Sequence, residues 1–253
     1  MTMEPLFEHD ESDFDCELMP AEIEALGDLA GLRVLHLVSG MPFESLALGA
    51  LGASVLAMNA GESDQDYVGL NIEMGNALAA ERELDVTFIA ETLAGLHDSE
   101  RDSQFDIVYA GPTTLAWTDN LHDWAVDVAE ALLPGGALVM YDEHPASRAL
   151  EPDDWAAEGE EPIGSPEEEA KKAEEVAKDV EAGAPPPAFD YEPVDEEWTL
   201  EELVAALEAQ GLVIARLDEI FGPQRFLTTA DAVDDETGLP TAFILVAERP
   251  AAE

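Results

Sequence analysis

The residues best suited to chemistry in this chain sit where apolar runs end and turns begin. One stretch reads Leu35, His36, Leu37, Val38, Ser39, Gly40, Met41, Pro42, Phe43. An apolar run that feeds a glycine-bearing turn and then a helix lets backbone approach a ligand closely. About 20 residues later a second apolar run ends at Asn59, where a polar side chain meets a ribose hydroxyl in the mononucleotide-binding half-domain plan. The usual form of that plan has two or three closely spaced glycines in the turn and an acid at the second position. Here the turn has Gly40 alone, and Asn59 offers an amide that bonds a hydroxyl without charge. His144, between Glu143 and Pro145 after a later apolar run, is the candidate catalytic base. An imidazole, with a reference pKa of about 6.5, takes up a proton near neutrality; the plainer reading is that it fixes a loop before a proline. His36, inside an apolar run, reads first as a packed and hydrogen-bonded core histidine. The acidic runs near Glu158 and Glu167 and the His9, Asp10, Glu11 group read as solvated surface, because a metal site needs carboxylates converging from a defined fold.

These residues are positioned by a repeated alternation of short apolar runs and helical patterns. A helix is expected from Pro20 to Leu29, with Ile23, Leu26 and Leu29 on its apolar face and Gly31 closing it. Strands are expected at Arg33 to Val38, Ser54 to Met58, Val86 to Ala90, Phe105 to Ala110 and Ala137 to Tyr141. Helices fall between them at Phe43 to Leu51, on to about Glu83 after the second strand, and at about His122 to Leu133. Further on come a helix from Leu200 to Gln210, started by Thr199, and strands at Leu212 to Leu217 and Phe243 to Ala247. Strands alternating with helices imply βαβ units, hence a doubly wound, mostly parallel sheet whose ligand crevice lies at the C-terminal strand ends. Trp124, at helical spacing from Val128, reads as core, whereas Tyr109 and Trp117 are candidates for an apolar substrate wall.

Composition narrows the partners. With 58 Asp and Glu against 10 Lys and Arg, the formal net charge is −48, so neutralising many phosphates, or adhering to anionic lipid, is excluded. Yet 47% of the residues are apolar and mean hydropathy is −0.07, enough to build a core rather than a disordered chain. Acid spread over patterned segments is the composition of a halophile's protein, whose self-repulsion molar salt screens to about 3 Å. A single cysteine, Cys16, excludes an internal disulfide and a cysteine-rich metal site. No charged leader with an apolar run follows Met1, and no stretch approaches the roughly 18 apolar residues of a membrane span, so the chain reads as cytoplasmic. Residues 1–20 form an acidic arm. Residues 21–253 form the domain, interrupted at about 150–191 by an acidic, partly helical insertion that is expected to be solvated and mobile.

Beyond the single turn, several segments carry a family likeness. Gly31 to Leu37 (GLRVLHL), Gly52 to Val55 (GASV), Phe105 to Tyr109 (FDIVY), Leu115 to Trp117 (LAW), Leu133 to Gly136 (LPGG) and Glu143 to Pro145 (EHP) occur in this order. Together they resemble the class I S-adenosylmethionine-dependent methyltransferases, and most closely a branch whose first strand reads LHLQCHFG in place of LDLGCGTG. The resemblance spans about Leu18 to Val246, excepting the acidic insertion, and implies a Rossmann-like seven-stranded sheet. It implies S-adenosylmethionine as cofactor, with its methionine end over His36, Ser39 and Gly40, its ribose at Asn59 and its adenine beside Ala90, Glu91 and Thr92. Ala110 and Gly111 would line the pocket under the sulfonium.

The implied activity is methyl transfer to a small-molecule acceptor, in a haloarchaeal cytoplasm, without nucleic acid, membrane or metal. Pro42 stands where the family has glycine and Asn59 where it has an acid. These departures motivate a second reading, an inactive methyltransferase-like chain that binds or regulates a protein partner. A nicotinamide-dependent Rossmann enzyme fits less well, since the turn lacks GxGxxG and the LPGG and EHP segments have no place in it.

Overall fold

The computed structural model describes residues 18–38, 42–59, 66–93, 95–96, 104–112, 114–115, 118, 120–145, 198–221 and 240–251. All of these belong to one unit of the chain. The acidic arm through residue 17 and the insertion at 150–191 lie outside the described residues.

Seven strands form one sheet. In chain order they are β1 (Arg33–Val38), β2 (Ser54–Asn59), β3 (Val86–Ala90), β4 (Phe105–Ala110), β5 (Leu132–Glu143), β6 (Val213–Ile220) and β7 (Ala242–Glu248). In space the order is β3-β2-β1-β4-β5-β7-β6. The first five pair in parallel, and β7 is antiparallel to both β5 and β6. Parallel strands covered on both faces must be apolar almost throughout, which is why Leu35, Val108 and Leu138 are as fully buried as their neighbours Val34, Ile107 and Val139.

The covering helices are α1 (Pro20–Leu26), α2 (Phe43–Ala50), α3 (Asp66–Glu81), α4 (Leu121–Ala131) and α5 (Leu200–Ala209). Leu26 of α1 and Leu46 and Leu48 of α2 pack with Val34, Val55 and Tyr109 on one side of the sheet. On the other side Ala125 and Val128 of α4 and Leu203 and Leu207 of α5 pack with Leu35, Val108 and Met140. Trp124 lies against this second cluster, as its spacing from Val128 implies. Two helix starts are capped by side chains, one of them at Thr199 as the sequence implies. Asn120 accepts from His122 N and Asp123 N at 3.1 Å each. Thr199 and Glu202 form a reciprocal capping box, satisfying donors that a helix start leaves without partners.

Two elements differ from the sequence expectation. Helix α1 stops at Leu26 because Gly27, at φ 68°, turns the chain out of the helix before Leu29 or Gly31 is reached. Its inward face is also different: Glu22 and Leu26 are buried, whereas Ile23 is exposed. Strand β5 begins at Leu132, and Leu133, Pro134, Gly135 and Gly136 are an outward loop within it. Phe105 pairs with Leu132 and Ile107 with Ala137, so four residues on β5 stand against Asp106 alone. Arg249 fastens this loop: Gly135 N donates to Arg249 O at 2.9 Å and Arg249 N to Gly136 O at 2.8 Å. Arg249 Nη1 also bonds Ala129 O at 2.8 Å and reaches Leu132 O, a cation set at the C-terminal end of α4, where the helix dipole favours one.

Candidate functional site

The chain runs from β1 out to β2 and β3, then returns to place β4 on the opposite side of β1. That reversal leaves a crevice at the C-terminal ends of β1 and β4, the place where open α/β sheets bind ligands. Register aligns the implied site residues there. Val38 stands beside Asn59, and Asn59 beside Ala90; Leu37 stands beside Ala110, and Ala110 beside Met140. The ends of all these strands, and the turns that leave them, therefore share one edge of the sheet.

Four residues converge at the crevice floor. His36, fully buried on β1, places Nδ1 2.7 Å from Ser45 Oγ on α2. Its Nε2 lies 3.3 Å from Glu44 Oε2 but outside hydrogen-bond geometry, so this buried nitrogen has no hydrogen-bond partner. Gly111, leaving β4, completes the group: a Cβ there would fall 2.7 Å from Glu44 Oε2 and 3.5 Å from His36 Nε2. The glycine is thus a space requirement, and the carboxylate of Glu44 fills part of that space. Glu44 is in the first turn of α2, which opens at Pro42 (φ −74°, ψ −5°), whose carbonyl accepts from Leu46 N at 3.2 Å. Proline at a helix start removes an N–H that has no helical partner in any case.

Below this floor the fully buried Tyr109 donates its hydroxyl to the equally buried Glu22 of α1, and its ring centre is 5.0 Å from that of His36. Tyr109 is therefore held in the core and does not form a substrate wall. Trp117 lies outside the described residues. On the far side of β4, buried Asp142 accepts from Leu115 N at 3.1 Å and from Glu143 N at 2.8 Å. This carboxylate fixes the loop that leaves Gly111. Thr114 Oγ1 bonds back to Gly111 O at 2.8 Å, and Trp198 Nε1 bonds Thr118 O at 3.1 Å, tying the same loop to the segment that leads into α5.

The implied cofactor residues are placed unevenly. Ala110 and Gly111 are buried at the crevice, Glu91 is half-buried and Thr92 exposed after β3; Thr92 Oγ1 accepts from Gly95 N at 3.0 Å. Ser39 and Gly40 lie outside the described residues, and Asn59 is placed by its backbone alone. Glu22, Glu44, Ser45 and Asp142 were not among the residues singled out from sequence. Only one weak signal pointed to any of them: an acid in the first turn of a helix, at Glu22 and Glu44, suits the positive end of the helix dipole.

His144, after β5, is buried. Its backbone N–H donates to Thr241 O at 3.0 Å, its ring Nε2 is 3.4 Å from Glu219 Oε1, and its ring stands edge-on to Phe243 at 6.4 Å. Burial lowers its pKa, with the nearby Glu219 carboxylate opposing the shift, so the folded chain favours the neutral, proton-accepting ring. The folded value lies below the unfolded one, so the unfolded chain takes up the proton first as pH falls. His144 then contributes stability that is present above the unfolded value of about 6.5 and is lost as the pH falls through the folded value. Between roughly pH 7.5 and 5.5 the wild type is expected to lose stability faster than His144→Gln in parallel denaturant titrations; equal slopes would refute this.

Among the described residues no group of three or more His, Cys, Asp or Glu is arranged to hold a metal, and no helix is long and apolar enough to cross a membrane.

No family model matches the sequence, and no curated protein matches it. Solved structures do match. An S-adenosylmethionine-dependent methyltransferase from Mesorhizobium loti aligns with TM-score 0.60 at 22% identity, over 91% of this chain and 96% of that one. A geranyl diphosphate methyltransferase in complex with SAM aligns with TM-score 0.56 at 13% identity, over 94% and 84%. The [4+2]-cyclase SpnF aligns with TM-score 0.57 at 17% identity, over 92% and 79%. At such identities the likeness is one of fold.

Proposed function

We propose that this chain, which has the fold of the class I S-adenosylmethionine-dependent methyltransferases, binds S-adenosylmethionine in the β1/β4 crevice and transfers its methyl group to a small-molecule acceptor. The observation that carries the reading is the Glu44 carboxylate, set against Gly111 and beside the bare Nε2 of buried His36. A ligand with cationic groups suits an acid at the floor of a crevice. When bound, the cofactor supplies a methyl group on a sulfonium with a neutral leaving group, so positioning the acceptor provides most of the catalysis.

The chain's own residues divide that work. Glu44 holds a cationic end of the ligand, and His36, anchored to Ser45, backs the floor beside it. Ser39 and Gly40 carry the turn over its methionine end. Asn59 meets hydroxyls, Glu91 and Thr92 flank the adenine, and Ala110 and Gly111 line the floor. His144, kept neutral by burial, accepts the acceptor's proton at a ring nitrogen. Calorimetric titration with S-adenosylmethionine in molar KCl tests the reading, and absence of heat at millimolar cofactor would overturn it. Glu44→Gln is expected to weaken binding about tenfold or more, the usual consequence of losing a charge-assisted contact; an unchanged affinity would remove Glu44 from the site.

The charge balance supports a haloarchaeal, cytoplasmic setting. Below roughly 0.5 M monovalent salt the repulsion among the acids loses its screening, and the thermal transition is expected to broaden and fall; an unchanged cooperative transition in dilute buffer would contradict this. A second reading, an inactive binding partner of an active enzyme, draws on Pro42 and Asn59. Purification from the native host as a monomer with cofactor bound would count against it. The cyclase among the structural neighbours makes methyl transfer, not fold, the property to measure.

A further inference from the structure

Strand β6 closes the sheet at one end, with β7 on one side and no described strand on the other. An open strand edge presents unpaired backbone groups, and proteins cover it or blunt it. Here it is apolar. Five large hydrophobic residues are exposed among the described ones, and three belong to this edge: Val213 at 56%, Leu217 at 40% and Phe221 at 59%. A groove of about 750 Å³ runs along it, where Leu217, Phe221 and Ile244 line the wall together with the charged Arg216, Asp218 and Glu219.

The same strand also carries an ordered pair of opposite charges. The chain has few cations, and one of them, Arg216, lies on this edge with Asp218 two residues on. The two share a face of the strand, paired with Val246 and Ile244, while Leu217 between them pairs with Leu245 on the other face. Within one chain Arg216 Nε bonds Asp218 Oδ2 at 2.6 Å, and Nη1 lies 4.0 Å from Glu24 Oε1. A guanidinium has further donors in a planar fork.

We infer that β6 pairs antiparallel with β6 of a second copy of this chain, about a two-fold axis at Leu217. That register sets Leu217 against Leu217 of the partner subunit. It also sets Arg216 against Asp218 of the partner subunit, and Asp218 against Arg216 of the partner subunit. A two-fold interface must be self-complementary, and oppositely charged residues directly across a strand pair are its stabilising unit. Moving the axis to Arg216 or to Asp218 would oppose like charges, which disfavours both neighbouring registers. The irregularity between Ile214 and Arg216 ends regular pairing on that side, so the strand contact is short and the groove beside Leu217 and Phe221 supplies the rest. The interface is therefore at the small, reversible end of specific contacts. With −48 on each copy, long-range repulsion opposes association until salt screens it, so the dimer belongs to molar salt.

Sedimentation equilibrium in about 2 M KCl, at protein concentrations up to about 0.2 mM, reads this directly. The expected mass rises with concentration from 27.2 kDa towards twice that value. Arg216→Asp and Asp218→Arg, both on the exposed edge, should each remain monomeric with an unchanged circular dichroism spectrum. Mixed in equal amounts they should associate as the wild type does, because the acidic pair of one meets the basic pair of the other. A wild type that stays monomeric overturns the inference. So does a dimer that either single variant leaves intact, or a mixture that fails to associate, since only the Leu217-centred register requires that rescue.

Discussion

Gly136→Ala should lower stability by about 3 kcal/mol, at the upper end of what overpacking costs, and lower Tm by roughly 6–12 °C. An added Cβ would fall 2.8 Å from Asp106 O and 3.0 Å from both Leu133 O and Phe105 O. All three are backbone atoms. A side-chain tip can rotate away from such a contact, but backbone carbonyls at the start of β4 and in the loop of β5 move only with their strands. Those strands are fixed: β4 is central in the sheet, and the loop is fastened on its other side by Arg249. Gly135→Ala is the control. It meets nothing within 4 Å but requires φ 89°, so strain alone should cost about 1–2 kcal/mol. Thermal scans of both variants in the same molar salt give the comparison, and equal losses would mean that the backbone contact does not govern the site.

Tyr109→Phe is the second large effect. The substitution removes one hydroxyl from a fully buried ring and leaves the Glu22 carboxylate, also fully buried, without that donor. Glu22 retains the bond from Met19 N at 2.6 Å, so the loss should be about 2–3 kcal/mol, the range for a hydrogen bond to a charged group. Glu22→Leu should also destabilise, by removing the acceptor of the tyrosine hydroxyl and of Met19 N. The double variant should lose less than the sum of the two, because removing the hydroxyl together with its acceptor leaves only the Met19 N donor, which Glu22→Leu alone also gives up. Urea titrations of the four proteins provide the cycle. Additive losses would show that the two groups are not coupled.

Legibility of the sequence followed the range of the interactions involved. Strands β1 to β4 were readable within one residue because fully buried parallel strands announce themselves as unbroken apolar runs, and α5 was readable from Thr199 because its cap is local. Helix α1 was misread on its inward face, since Ile23 fits the apolar pattern better than Glu22. The partner that makes Glu22 an interior residue is Tyr109, 87 positions away. The fifth strand was expected to begin at Ala137, after a helix ending at about Leu133; Leu133 to Gly136 instead form a loop inside the strand, because Arg249, a distant residue, supplies its hydrogen bonds. In the crevice, the sheet register carried Asn59, Ala90 and Ala110 to one edge as the alternation of elements implied. Glu44, by contrast, enters from the helix after the turn, and only the packing of α2 against His36 and Gly111 makes it part of the floor.

The order β5-β7-β6 has a consequence for biosynthesis. During translation β6 emerges before β7, yet its only described neighbour in the sheet is β7, and β5 likewise awaits β7 on its outer side. A nascent chain that has produced residues 1–221 therefore holds two strands with open edges and cannot join them to each other directly. The seven residues Ala242–Glu248 complete both pairings in one step. Premature termination anywhere before them would leave β6 without its described neighbour and β5 with an open outer edge, the kind of species that polysome-bound chaperones and proteases recognise.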